Sequence, residues 1–164
     1  MKATDAIKTA LTSTQQMLGM FLSDLSDADL LVRPVPGANH VAWQLGHLIN
    51  SERGSVSSSI PGSAYPELPA GWADQHSKNT AGMDPAKGFA TKAEYLALFN
   101  KVREATLATL AKLSDADLDK PTTGSVAKMA PTIGAMLLLH SNHTLMHAGQ
   151  FTVLRRKLGK PVLF

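Results

Sequence analysis

The chain has 164 residues, 44% hydrophobic and 18% charged, which is apolar material for one domain spanning 1–164 and too little charge for a disordered chain. Its formal net charge of +3 is mild, Lys and Arg are scattered, and no run alternates aromatic and basic residues, so nothing resembles a nucleic-acid-binding surface. Cysteine is absent, which excludes disulfides, thiolate metal ligands and a cysteine nucleophile together.

Residues 1–10 contain Asp5 and Lys8 and lack the apolar stretch of a secretory signal, and no apolar run is long enough to span a bilayer. The expectation is a soluble cytoplasmic protein with neither membrane nor nucleic-acid partners. Over 4–24, Ile7, Leu11, Thr14, Leu18 and Phe21 recur at helical spacing, with Thr4 in N-cap position. The next six residues, Leu25-Ser26-Asp27-Ala28-Asp29-Leu30, place Ser26 three residues before Asp29, the spacing of a capping box that opens a short turn. Pro34, Pro36 and Gly37 end it.

A second helix is predicted from Asn39, as N-cap, to about Ser58, with Val41, Leu45, Leu48, Ile49 and Val56 on one side. The neighbouring stripe is polar: His40, Trp43, Gln44, His47, Asn50 and Ser51. His47 lies two turns in, far enough from the end to be enclosed, and is a candidate metal ligand. His40, at the helix start, reads as a solvated or end-capping residue, and Trp43 as core, with a substrate platform compatible with that. Residues 59–90 hold four prolines and little periodicity and predict a long crossover loop, anchored by Tyr65, Leu68, Trp72 and Phe89; His76 within it reads as exposed and unpartnered.

Thr91-Lys92-Ala93-Glu94 is another capping box and opens a third helix carrying Tyr95, Phe99, Val102 and Leu110. It ends in Leu113-Ser114-Asp115-Ala116-Asp117-Leu118, identical to 25–30 and again followed by a proline and a glycine. Duplication of a helix-turn-helix unit and convergence on a good capping sequence both account for this.

The last helix is predicted from Pro131, at the first helical position, to Leu158, with Gly159 as C-cap and Pro161 as stop. Arg155, Arg156 and Lys157 complement its dipole. Ile133, Met136, Leu137, His140, His143, Thr144, His147, Phe151 and Leu154 form one stripe, so three imidazoles point where the apolar residues point. A buried imidazole without a partner costs about 1–3 kcal/mol. His143 and His147, four apart, stand one turn above each other and are able to converge on one ion. His140 and His147 are separated by roughly 10 Å of helix rise, which leaves His140 in support. Four helices with one long middle connection predict an all-α four-helix bundle with the crossover loop between helices 2 and 3, whose core is where metal sites form from facing helices.

Three stretches carry a family likeness: Trp43-Gln44-Leu45-Gly46-His47, then the eight residues from His143 to Gln150, then Leu154-Arg155-Arg156-Lys157-Leu158-Gly159-Lys160-Pro161. Together they resemble the DinB-like (DinB/YfiT) superfamily over essentially the whole chain, the H-x3-H-x-G-Q string being the most specific part. The resemblance implies a four-helix bundle, often a homodimer, in which one helix-2 and two helix-4 histidines bind a divalent metal, usually zinc or nickel. It carries those roles to His47, His143 and His147. Gly149 would allow close helix approach and Gln150 a hydrogen bond to a neighbouring backbone or a ligand, while His140, Asn142, Asn50 and Glu52 are candidates to orient the ligating imidazoles or a bound water.

Three neutral imidazoles leave coordination positions open, the pattern of catalytic sites. The resemblance further implies a metal-dependent enzyme in which a low-molecular-weight thiol such as bacillithiol or mycothiol attacks an electrophilic small molecule, as an S-transferase or isomerase, or a related hydrolase. The alternative is a non-catalytic metal-binding or stress-associated protein. Thiol-dependent catalysis calls for a cavity beside the metal, walled by the 59–90 loop.

Overall fold

The computed structural model describes residues 1–83 and 88–163; the 84–87 stretch of the predicted loop and the final residue lie outside them. Four long helices dominate: α1 (Ala3–Leu22), α3 (Val41–Ser59), α5 (Lys92–Leu110) and α7 (Ile133–Lys157). Three one-turn helices join them, α2 (Asp27–Leu30), α4 (Trp72–Gln75) and α6 (Asp115–Leu118), with 3-10 turns at 78–80 and 124–128. No strand is present among the described residues; a single antiparallel bridge pairs Pro121 with Thr132.

The chain runs between two apolar clusters. One contains Leu18, Phe21, Leu45, Trp72, Tyr95, Phe99, Phe151 and Leu154, the other Ile7, Leu11, Val56, Leu110, Val126, Ile133 and Met136. α1 and α7 run from the second cluster to the first, α3 and α5 the opposite way. α1 packs against α7 and α5, and α3 against α5 and α7, so α1 and α3 are diagonal although consecutive. The adjacent pairs α1/α7 and α3/α5 are parallel. Joining two parallel neighbours requires the chain to return the full length of the bundle, which is the physical reason for the long connection between α3 and α5.

Both copies of the repeated hexapeptide form the same device. Ser26 N–H donates to Asp29 Oδ2 at 2.8 Å while Ser26 Oγ accepts from Asp29 N–H, and Ser114 and Asp117 repeat the pattern. The two turns lie at opposite ends of the bundle, Leu30 in one cluster and Leu118 in the other, and each carries the chain across the diagonal.

Three helix starts differ from expectation. α1 is capped at Lys2, whose N–H donates to Asp5 Oδ2, rather than at Thr4. α3 is capped by His40, whose Nδ1 accepts from Trp43 N–H at 3.2 Å, rather than by Asn39. α7 begins after Thr132, whose hydroxyl accepts from Ala135 N–H; Pro131 cannot be its first residue, because the Pro131 carbonyl accepts from Thr122 N–H and Ile133 N–H donates to the Lys120 carbonyl, which holds 131–132 extended. Arg155 does more than complement the dipole. It is buried, and its guanidinium grips both Asp24 oxygens and the Phe21 and Pro161 carbonyls, fixing the end of α7 to the end of α1.

Between the two clusters lies a polar layer centred on Arg103, which is completely buried. Its Nε and Nη2 reach Glu52 of α3 at 2.8–3.2 Å. Nη1 donates to the Leu11 carbonyl and Thr14 hydroxyl of α1, and Nη2 also to Thr144 of α7. One side chain from α5 thus contacts all three other long helices. Glu52, a candidate to orient an imidazole or a bound water, has both oxygens engaged by Arg103.

Removing one partner of such a pair strands a buried charge, at a cost of about 3–5 kcal/mol, whereas replacing both with apolar side chains is often close to neutral. Arg103→Met is accordingly expected to lower urea-unfolding stability by about 3–5 kcal/mol, and the double variant Arg103→Met/Glu52→Leu to recover most of it. A double variant no more stable than the single one would contradict this account of the layer.

Candidate metal centre

The middle turns of α3 and α7 bring three imidazoles together. One ligand nitrogen each from His47, His143 and His147 lies within 4.8 Å of the others, and His143 Nε2 and His147 Nε2 are 3.1 Å apart. Three nitrogens at about 2.0–2.1 Å from a tetrahedral ion stand about 3.3 Å from one another. The His143–His147 edge is therefore already formed, and closing the other two requires movement on the order of 1 Å.

Burial keeps these rings neutral. Loss of solvent, followed by the proximity of the other two rings, pushes His143 down to about 3; burial and then His47 push His147 down to about 4; burial and then Lys78 lower His47. Neutral imidazoles present lone pairs, the form a divalent ion needs. The tautomer of His147 is set by its neighbours. Gln44 Nε2 donates to the Asn39 carbonyl at 2.7 Å, so its Oε1 faces His147 and accepts from Nδ1–H at 2.7 Å. That leaves His147 Nε2 unprotonated, its lone pair directed at His143 Nε2 in the cluster, which is how carboxamides and carboxylates orient metal-ligating histidines. Three neutral imidazoles are a donor set that fits a divalent metal ion.

Gln44 lies on the same polar stripe as His47, three residues before it, and that spacing was the available signal for its role. Of the four candidates to orient the imidazoles or a bound water, none hydrogen-bonds a ring of the cluster among the described residues, while Asn50 and Asn142 line the cavity that His47 and His143 face. His140 Nε2 pairs with Ser55 Oγ at 2.6 Å, Glu52 is held by Arg103, Asn50 faces the Ala73 carbonyl, and Asn142 is exposed on a cavity wall. Gln150 is exposed and nothing approaches Gly149. The glycine that permits close packing is Gly46: a Cβ there would stand 2.0 Å from His76 Cδ2.

His76 is accordingly not an exposed loop residue. It is 1% exposed, with Nδ1 at 2.8 Å from the Trp72 carbonyl and Nε2 at 2.8 Å from Tyr95 Oη. His40 caps α3 as one reading had it, but it is buried rather than solvated, with Phe89 edge-on at 4.7 Å.

A cavity of about 830 Å³ opens on His47 and His143. Its walls are α3 from Asn50 to Ser58, the 123–129 segment, and α7 from Leu139 to Met146. Among the described residues, the loop expected to wall it contributes only Lys78; most of the described part of that loop packs instead along α3 and α5, with Tyr65 Oη on Thr106 and Arg53 Nε on the Pro66 carbonyl.

An all-helical bundle with a three-histidine cluster beside an open cavity is the class of protein these observations define. The sequence profile of the DinB superfamily matches residues 10–151, and the chain belongs to that superfamily. Among solved structures it is similar to a conserved protein from Enterococcus faecalis, with a TM-score of 0.71 at 18% identity, covering 98% of this chain and 99% of that one. It is also similar to YfiT from Bacillus subtilis, described as a probable metal-dependent hydrolase with an unusual four-helix bundle topology, with a TM-score of 0.69 at 20% identity, covering 96% of this chain and 89% of that one. At these identities the likeness shows the fold. No curated protein matches. No helix among the described residues is long and apolar enough to cross a membrane.

All six histidines are held below their ordinary value, with burial the largest cause for each. The unfolded chain therefore binds more protons than the folded one below pH 6.5, and stability is lost as pH falls. Metal-free protein is expected to lose urea resistance progressively from about pH 6.5 to about pH 3, the value to which His143 is lowered. His40→Asn keeps a capping side chain but removes the group lowered to about 4, so it should show a shallower decline; a decline identical to the parent's would contradict His40's contribution.

Proposed function

We propose that the chain is a metal-dependent enzyme whose divalent ion, zinc or nickel, is held by His47, His143 and His147. The observation that carries this reading is the cavity opening directly on His47 and His143: a purely structural site would be closed over by protein. An ion held by three neutral imidazoles supplies Lewis acidity and lowers the pKa of a water or thiol bound in its open position.

The chain's own residues shape what reaches that position. Gln44 holds His147 in the tautomer that directs Nε2 inward. Among the described residues the cavity wall bears no carboxylate and one cation, Lys78, which favours an anionic group on the incoming molecule. Ser51, Ser55, Thr123 and Ser125 offer hydroxyls on one part of the wall, and Val126, Met129, Leu139 and Met146 an apolar surface on another. This combination supports the reading of a low-molecular-weight thiol attacking an electrophilic small molecule, as an S-transferase or isomerase. Hydrolysis is the second reading, favoured by the likeness to YfiT.

Metal analysis by mass spectrometry of purified protein is expected to find close to one divalent ion per chain, and far less in His147→Ala. Equal metal in both would sink the site. With the loaded protein, conjugation of a bimane electrophile that depends on added bacillithiol or mycothiol supports the transferase reading, and thiol-independent cleavage of a nitrophenyl ester the hydrolase.

A homodimer is also proposed. On the outer side of α7, Leu138, Leu145, Met146 and Val153 form an exposed apolar stripe, as expected where a second copy packs. Sedimentation of the native chain should give a dimer and Leu145→Glu a monomer; a monomeric native chain would overturn this.

A further inference from the structure

His47 is held differently from its neighbours. His147 is fixed by Gln44, but among the described residues the His47 ring has no hydrogen-bond partner and is positioned by ring packing alone. Trp43, one turn earlier on α3, lies flat against it, with centroids 4.9 Å apart and planes within 8°. His143 and His147 meet it edge-on at 5.1 and 5.6 Å, which is the approach of fellow donors rather than of a support.

The Trp43 indole is itself clamped from outside the bundle. Its Nε1–H is shared between the Ser77 carbonyl at 3.2 Å and Thr80 Oγ1 at 3.3 Å, and the Thr80 hydroxyl is tied back to the carbonyls of Gln75 and Ser77. The same segment is seated on α3 a second time. His76 fills the notch left by Gly46 and is locked by Tyr95. Residues 72–80 therefore dock on the two positions, Trp43 and Gly46, that precede His47 by one turn and by one residue.

We propose that Trp43, clamped by the 72–80 segment, is a positioning residue that sets the ring orientation of His47 and through it the affinity and geometry of the metal centre. This rests on the reading of His47, His143 and His147 as ligands. An imidazole must aim its lone pair along the bond to the ion; without a hydrogen bond on its other nitrogen, rotation of the ring is limited only by what it stacks on. Supporting contacts of this kind typically set metal affinity within a factor of about 10–100. The segment also presents Lys78 to the cavity, so one piece of chain touches both the ligand-orienting ring and the substrate space.

The test uses the full chain with Co²⁺ as the probe, reading dissociation constants by chelator competition and coordination geometry by visible absorption. Trp43→Leu is expected to weaken Co²⁺ binding about 10–100-fold and to alter the absorption bands. Trp43→Phe keeps a flat face without the Nε1–H and should recover much of the affinity, with Thr80→Val showing a smaller loss. In a His47→Ala background, Trp43→Leu should have little further effect, because Trp43 acts through His47. Unchanged affinity and spectrum in Trp43→Leu, or losses that simply add in the double variant, would overturn the proposal. If Trp43→Leu does not fold, Trp43→Phe and Thr80→Val carry the same comparison. Failure of the native chain to take up Co²⁺ would overturn the metal reading and this proposal together, whereas uptake by the native chain with unchanged variants removes only the role of Trp43.

Discussion

The architecture depends on one buried ion pair. Arg103 enters the centre of the bundle from α5 with every donor engaged, by Glu52 on α3, Leu11 and Thr14 on α1 and Thr144 on α7. A guanidinium in a low-dielectric interior is tolerated only when its charge and all its N–H groups are matched. That requirement specifies the register of four helices at once. Apolar contacts are non-directional and would permit the helices to slide by a turn; the Arg103 fork does not.

The layer also determines where a polar site is able to exist. Glu52, Thr144 and His140 occupy the middle of α3 and α7, the first two engaged by Arg103 and the imidazole by Ser55. The imidazole cluster stands one to two turns along the same two helices, on the side of the first apolar cluster. α3 and α7 are adjacent and antiparallel, so His47 meets His143 and His147 across their interface. The up-down-down-up order that creates this adjacency also makes α3 and α5 parallel, and the long return between them supplies the segment that seats Trp72, His76 and Thr80 against α3. The site and its outer support thus follow from one topological choice.

Much of this was legible in local pattern. The helical stripes of α1, α3, α5 and α7, the duplicated capping boxes and the H-x3-H pair are short-range features, and each appears where its spacing puts it. Arg103 was legible too: Tyr95, Phe99, Arg103, Thr106 and Leu110 make a continuous buried stripe on α5, but a charged residue is easily passed over in favour of its apolar neighbours. His76 was not legible. Nothing near it in the chain announces that Gly46, thirty residues earlier in α3, leaves a notch that its ring fills. Pro131 misled for a similar reason, since the pairing of 120–122 with 131–133 competes with helix formation and lies beyond any local window.

The sequence by itself determined the elements, their amphipathic faces and the residues able to bind a metal, because helix periodicity, capping and imidazole chemistry act over one or two turns. Only the tertiary structure decided which polar side chains meet. It gave Gln44 the task of orienting His147, engaged Glu52 with Arg103 instead of an imidazole, paired His140 with Ser55, and built the cavity from the 123–129 segment rather than the long loop. Those outcomes depend on the diagonal and parallel packing of helices distant in the chain, which no spacing along a single helix encodes.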